Sequence, residues 1–423
     1  MINMNFDERV AALRKFHQCE RRLPGYKEML ELFGYRSKNA VHKLVLRLVE
    51  AGYLIKRSHK IAAAPRLEDE PGLAEQPVGS TDSGEQLLDS GRALNLLGVD
   101  IGGTKTAVCL GNQKGEILAT QRIPAMPGED PQVFKCRLNE LVGAVLESAG
   151  LKADSLDAVG ISAPGPLSVP RGMLLAPPNN PGWHEVPIFK MVSEMVKAPV
   201  FLNNDANACA LAEMFFGEHR GIQSLIYLTF STGMGAGIIT NGRLVQGITD
   251  CGGEVGHMVL DLHGPRCGCG NFGCWETYVG GRNVAERLKA RIRAGGLKTA
   301  IVDQAGGEVD KIDMKALSAA VRLGDPLAVE EWESFTDRLA QGIGALVQVI
   351  NPEIVILGTI AIHERDLVMP ALQAKLPKYA WRWPLEACRI VPSSLEGRIG
   401  DLSALAVAIT GLRETGNGAM RHA

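Results

Sequence analysis

Apolar residues recur along the chain with two different periods, and the switch between them marks a change of architecture. Near the start the period is helical, with Val10, Leu13 and Phe16 on one face. Pro24 opens a second helical stretch carrying Met29, Leu30 and Leu32, which Gly34 is suited to stop. Ser37 can cap a third helix, in which Ala40, Val41, Leu44, Val45 and Leu48 share a face up to Gly52. Tyr53-Leu54-Ile55 then begins a strand, with Lys60-Ile61-Ala62 as its return. Between Glu68 and Gly84 no apolar period survives, and Pro, Gly and Ser among acids predict a linker. Beyond it come short continuous apolar runs bounded by turn residues, which predict buried strands. Ala93–Val99, Val200–Leu202, Ile226–Phe230 and Ile354–Leu357 are of this kind, and Ala206–Phe216 predicts a helix.

Several of these strands run into glycine turns. The first ends at Asp100 and passes through Gly102-Gly103-Thr104-Lys105 into a second strand ending near Leu110. Glycine lets backbone amides come close to phosphate oxygens, and a carboxylate at the strand end can hold the water shell of Mg²⁺. Ser231-Thr232-Gly233-Met234-Gly235-Ala236-Gly237 repeats the device between two later strands, and Gly358-Thr359 follows a third. Such duplication points to two related lobes closing on one nucleotide. Asn203-Asn204-Asp205 lies between a strand and a helix. A carboxylate there can accept the proton of a hydroxyl attacking a phosphoryl group, or can simply cap the helix.

Length and charge add the domain plan. At 423 residues the chain has room for roughly three domains of about 150 residues. A 46% hydrophobic and 22% charged composition suits large buried cores. No apolar run reaches the roughly 18 residues of a membrane helix, and the first residues lack a secretion signal. Membrane, secreted and disordered classes are thereby excluded, and a cytoplasmic protein is expected. Nine Cys without an export signal argue against a disulfide framework. Six are scattered, whereas Cys267, Cys269 and Cys274 fall close together and ask for a metal. The net charge of −2 hides a polarised chain. Residues 1–66 hold 14 Lys and Arg against 6 Asp and Glu; residues 67–90 hold 7 acids and no base; the remainder carries −3.

Helix, helix, turn, helix and ribbon is the order of a winged helix-turn-helix, whose helix after the turn enters the DNA major groove. Leu23 to Ile55, centred on Gly34-Tyr35-Arg36-Ser37-Lys38-Asn39-Ala40-Val41, resembles the DNA-binding domain of LexA-type repressors. The resemblance implies base or phosphate contacts from Ser37, Lys38, Asn39 and His42, with Arg36, Lys56 and Arg57 on the backbone of a double-stranded operator. A basic module of this kind can alternatively dock on a protein.

Residues 95–412 resemble the ROK family of repressors and sugar kinases. The motifs are Asp100-Ile101-Gly102-Gly103-Thr104-Lys105, Pro164-Gly165-Pro166, Pro178-Asn179-Asn180-Pro181-Gly182-Trp183, Asn204-Asp205-Ala206-Asn207, Gly253-Glu254-Val255-Gly256-His257, Cys267-Gly268-Cys269-Gly270 and Gly273-Cys274-Trp275-Glu276. The resemblance implies a two-lobed, ribonuclease H-like actin-type ATPase fold of the α/β class. It implies an ATP-dependent kinase of glucose, N-acetylglucosamine or N-acetylmannosamine, or a regulator that senses a sugar without catalysis. Asp205 is then the general base, and Asn179, Asn204, Asp205, Glu254, His257 and Glu276 hold the sugar. ATP and Mg²⁺ fall to Asp100, Gly102, Gly103, Thr104, Lys105, Thr232, Gly233, Gly235 and Gly358. His257, Cys267, Cys269 and Cys274 form a closed set for a structural Zn²⁺. Asn203 stands where many members have Glu, and Thr359 stands where the family usually has a second Gly near adenosine.

The expected domains are a DNA-binding head at 1–66, a linker at 67–93 and a first lobe at 94–203. A second lobe with the metal site follows at 204–401, and a helix with a tail at 402–423 packs back on the first lobe. Self-association as a homodimer or homotetramer is expected, since one small head binds DNA weakly.

Overall fold

The structure, a computed structural model, describes residues 6–20, 23–33, 35, 37–51, 53–57, 60–63, 91–178 and 180–416. Arg36, Asn179 and residues 64–90 lie outside this set, as do the side chains of Lys56 and Arg57. The chain divides into two compact units, within residues 1–80 and 81–422. Among the described residues no helix is long and apolar enough to cross a membrane.

In the first unit, helices Phe6–Glu20, Tyr26–Leu32 and Lys38–Glu50 precede an antiparallel ribbon of β1 (Leu54–Arg57) and β2 (Lys60–Ala63). The second helix begins after Gly25 rather than at Pro24, because the Gly25 N–H finds the Glu28 carboxylate at 2.7 Å. Ser37 caps the third helix by accepting the Ala40 N–H at 3.3 Å. Val10, Leu13, Met29, Phe33, Val41, Leu44, Val45, Leu48 and Leu54 meet in one core. The helical period therefore sends Val41, Leu44, Val45 and Leu48 inward and leaves Lys38, Asn39, His42 and Lys43 exposed.

The second unit holds two sheets of the same design. The first contains β3 (Leu96–Ile101), β4 (Lys105–Gly111), β5 (Ile117–Pro124) and β6 (Ala158–Ala163). A small hairpin of β7 (Leu167–Ser168) and β8 (Met173–Leu174) intervenes before its last strand, β9 (Val200–Asn204). The order is β5-β4-β3-β6-β9, antiparallel in the β3–β5 meander and parallel from β3 to β9. The second sheet contains β10 (Leu225–Phe230), β11 (Met234–Thr240), β12 (Arg243–Leu244), β13 (Ile354–Leu357) and β14 (Arg389–Pro392). Its order, β12-β11-β10-β13-β14, repeats the first: a hairpin side and then parallel strands. The duplicated glycine turns of the sequence are thus the same connection in two copies of one sheet. The second turn is shorter than its glycines suggest: β11 begins at Met234, so Gly235 and Gly237 lie in the strand.

Strand alternation assigns the layers. Leu97, Val99 and Ile101 face a core with Phe134, Leu138 and Val142 of helix Pro131–Ser148. Leu96 faces the opposite side, toward helix Ile399–Gly416. That helix approaches unusually closely, because Gly98 and Gly160 leave no side chain beneath it. A Cβ on Gly160 would lie 2.0 Å from the Ala404 carbonyl oxygen. In the second sheet Gly237 does the same for helix Asp205–Phe216, where a Cβ would lie 2.4 Å from the Ala206 carbonyl oxygen. The two helices are exchanged. Asp205–Phe216 leaves β9 of the first sheet and packs on β11 of the second, while Ile399–Gly416 leaves β14 and packs on the first. They also pack on each other, and Leu211, Ala408 and strand residues of both sheets share one core. The final helix starts at Ile399, ahead of the expected boundary at 402.

Candidate active site

The exchange of helices decides where the site lies. Asp205 stands where β9 ends and where the helix that rests on β11 begins. The cap of this helix is Asn204 rather than Asp205. Asn204 Oδ1 accepts the Ala206 and Asn207 N–H groups at 2.9 and 3.4 Å. Asp205 is the first helical residue, and its Oδ1 also accepts the Ala206 N–H, at 2.8 Å. Asn203 is buried, and its Oδ1 takes the Asn204 N–H at 2.9 Å and Asn207 Nδ2 at 3.1 Å. The departure from Glu at this position therefore leaves a neutral brace under the Asn204-Asp205 turn. Burial pushes the Asp205 carboxyl up to about 6; the Ala206 N–H opposes this and the Glu254 carboxylate adds to it.

Asp100 ends the apolar part of β3, and the turn Gly102–Thr104 is closed by the Gly102 N–H on the Lys105 carbonyl at 2.9 Å. Gly103, Thr104 and Lys105 form its exposed tip. Asp100 Oδ1 accepts the Ser162 hydroxyl at 2.9 Å. Its other oxygen faces Gly400 at the start of the final helix, where a Cβ would lie 2.7 Å away. Burial raises this carboxyl to about 7 against the Ser162 bond, with Asp205 and Asp401 adding negative charge nearby and Lys105 opposing. Asp401 is itself paired with Arg122, Nη2 to Oδ2, at 2.5 Å.

The second turn comprises Ser231–Gly233, closed by the Ser231 N–H on the Gly233 carbonyl at 3.0 Å. Ser231 and Thr232 are exposed at its tip. Helix Gly281–Gly295 begins against it, the Gly281 and Arg282 N–H groups reaching the Ser231 and Thr232 carbonyls at 2.6 and 3.2 Å. Glu276, grouped with the sugar ligands by resemblance, spends Oε2 on the Met234 N–H at 2.8 Å and so braces this turn.

Beside the Asn204-Asp205 turn, Asn204 Nδ2 and Glu254 Oε1 converge on Gly165, at 3.2 and 3.5 Å from where its Cβ would be. Glu254 Oε2 lies 3.9 Å from His257 Nε2. The other ring nitrogen, Nδ1, is 3.7 Å from Cys267 Sγ, and Cys269 Sγ is 3.6 Å from Cys274 Sγ. All four ligand atoms of His257, Cys267, Cys269 and Cys274 lie within 4.8 Å of one another. Bonds of about 2.3 Å to a tetrahedral ion place ligands roughly 3.7 Å apart. The donor set and its spacing therefore fit Zn²⁺. The loop returns on itself through Gly273, at φ 66°, whose missing side chain admits the Asp261 carbonyl. Trp183 and Trp275 are both buried.

The sequence singled out Asp100 and Asp205 but missed what supports them. Ser162 had a signal, a hydroxyl in an otherwise apolar buried strand. Asp401 and Arg122 had none, being far apart in sequence from the groups they serve.

The ROK family profile matches residues 96–410. A glucokinase from Thermotoga maritima is 32% identical over 316 residues, covering 74% of this chain and 97% of that enzyme. A xylose repressor from Caldicellulosiruptor bescii is 27% identical over 378 residues, 88% of this chain and 89% of the repressor. Among solved structures, a ROK glucokinase from Streptomyces griseus, in complex with glucose and AMPPNP, superposes with a TM-score of 0.64 at 31% identity. That match covers 76% of this chain and all of the enzyme. The chain belongs to the ROK family, and its body has the actin-like ATPase fold of that family's sugar kinases.

Proposed function

We propose that the body is an ATP-dependent hexose kinase of the glucose, N-acetylglucosamine or N-acetylmannosamine class, and that the head makes it a sugar-responsive DNA-binding regulator. The observation that carries the kinase reading is the Asp205 carboxyl, raised to about 6 within electrostatic reach of Asp100 and of Glu254, which pairs with His257. A carboxylate with that proton affinity is ionised at neutral pH yet basic enough to accept a hydroxyl proton. Asn204 Nδ2, Glu254 and His257 Nε2 would orient the sugar hydroxyls, since unpaired polar groups in such a pocket discriminate strongly between substrates. The tips Gly102–Lys105 and Ser231–Gly233 offer amides and the Thr104 and Thr232 hydroxyls to phosphate oxygens. Gly235 would support the second tip from within β11, and Gly358 closes the same edge. Asp100 and Ser162 would hold the water shell of Mg²⁺, which supplies charge neutralisation when bound. Asn179 keeps its proposed sugar contact from the motif alone.

The Cys₃His cluster supports a structural Zn²⁺, since four protein ligands leave no open position. His257 would join the two sites, Nδ1 turned to the sulfurs and Nε2 to the acceptor pocket. In the head, exposed Ser37, Lys38, Asn39 and His42 begin the helix proposed to face the bases, with Arg36, Lys56 and Arg57 on phosphates. One reading competes: a regulator that senses a sugar without phosphorylating it, favoured by the similarity to a xylose repressor over 88% of the chain. ADP release by purified protein across a hexose panel decides between them. Release with one hexose supports the kinase; sugar binding that shifts DNA affinity without any release supports the sensor.

A further inference from the structure

Gly358 and Thr359 follow β13 at the edge of the second glycine turn, and their side-chain sizes answer different demands. Gly358 has no room for a side chain, because a Cβ there would lie 2.2 Å from Tyr227 Oη. Thr359 is the opposite case. It sits at φ 46° and ψ −102°, a conformation open to glycine and held by a β-branched residue only when its surroundings impose it. The imposing contact is the Phe230 peptide. Thr359 Oγ1 accepts the Phe230 N–H at 3.2 Å and donates to the Phe230 carbonyl at 2.8 Å.

Phe230 is the last residue of β10, immediately before Ser231–Gly233. Main-chain pairing of β10 with β13 stops at Leu228 opposite Leu357, with the Gly358 N–H on the Leu228 carbonyl at 2.8 Å. The Thr359 hydroxyl carries that pairing one step further, onto the peptide that opens the turn. The far end of the turn is held independently by Glu276 on the Met234 N–H at 2.8 Å. With both ends fixed, the amides of the tip are aimed before any ligand arrives, which removes ordering from the binding event.

We propose that Thr359 is a positioning residue for the nucleotide phosphates, its hydroxyl fixing the Phe230 end of the Ser231–Gly233 turn. The proposal rests on the nucleotide-binding reading above. A glycine at 359 would relieve the backbone but release the turn.

The test compares three variants of the full chain. Thr359→Ser keeps the hydroxyl, Thr359→Val keeps the shape and loses it, and Thr359→Gly loses both the hydroxyl and the strain. AMPPNP binding by calorimetry, the KM for ATP beside kcat, sugar affinity, and amide exchange of residues 228–236 are measured. Losing two hydrogen bonds should weaken nucleotide binding by about tenfold in the Val and Gly variants. Their sugar affinity should hold, and exchange at 230–234 should quicken. The Ser variant should behave as the wild type, and the Gly variant should melt no lower than it, which separates lost affinity from unfolding. A Val variant with wild-type nucleotide affinity and wild-type exchange overturns this proposal alone. A wild type that binds no nucleotide overturns the kinase reading and this proposal with it.

Discussion

Asp205 and Asp100 are partly buried carboxyls whose proton affinities are set by desolvation against opposing neighbours. For Asp205, loss of solvent outweighs the Ala206 N–H, leaving the group near 6. Asp205→Asn preserves size and removes the base, so turnover should fall roughly 10²–10⁴-fold while sugar binding persists. Steady-state ADP release beside calorimetric sugar titration checks both halves, and unchanged turnover would clear Asp205 of the role. The same group sets a pH dependence. Below about pH 6 the carboxyl is protonated and cannot accept the hydroxyl proton, so kcat/KM should rise with pH through a limb near that value. A flat profile between pH 5 and 7 would contradict it.

At the scale of elements, the body depends on helices that sit on glycine. Gly160→Ala would drive a Cβ to 2.0 Å from the Ala404 carbonyl, against backbone that cannot rotate away. A loss of about 3 kcal/mol is expected in denaturant unfolding. Gly143, exposed within helix Pro131–Ser148 and with nothing within 4 Å of its Cβ position, is the control. There alanine should stabilise by up to about 1 kcal/mol, since only helix propensity changes. Equal effects at the two sites would refute the close approach. The Cys loop is the second element with a specific dependence. Elemental analysis should find near one equivalent of zinc per chain, and Cys269→Ala should lose metal, sugar affinity and heat resistance together. A metal-free protein with full sugar affinity would end the assignment.

For the whole molecule, the two raised carboxyls make stability depend on pH in an unusual direction. Unfolded, both ionise near 3.8; folded, they ionise near 6 and 7. Across the window between, the folded chain holds protons that the unfolded chain has lost, so these groups stabilise it below about pH 4 and that contribution is lost as pH rises toward 7. The melting temperature of an Asp100→Asn variant should therefore decline less with pH than that of the wild type. The head adds a second property of the whole chain. DNA binding should fall steeply as salt rises, because Lys and Arg displace counterions. Asn39→Ala should blur preference among sequences selected from a random pool, and recovery of no shared motif from the wild type at moderate salt would reduce the head to a docking module.

Much of this molecule is local information. The order of elements in the head follows from helical period and from Ser37 as a cap, and strands β3, β9, β10 and β13 from short apolar runs, whereas β5, β6, β12 and β14 carried no such signal. The two turns were legible because glycine and hydroxyl residues sit beside the strands they join, and the candidate metal ligands because three Cys lie within a few residues of one another. What the sequence alone left open depends on residues far apart in it. Which helix rests on which sheet is decided by Gly98, Gly160 and Gly237, whose significance appears only when Ala404 and Ala206 arrive above them. Asn204 as cap, Glu276 as a brace on the second turn and Thr359 on the Phe230 peptide are likewise outcomes of packing. So are the proton affinities of Asp100 and Asp205, which reflect how far the surrounding segments withdraw them from water. Period and turn chemistry act between neighbours in the chain; close approach and desolvation exist only once distant segments have been brought together.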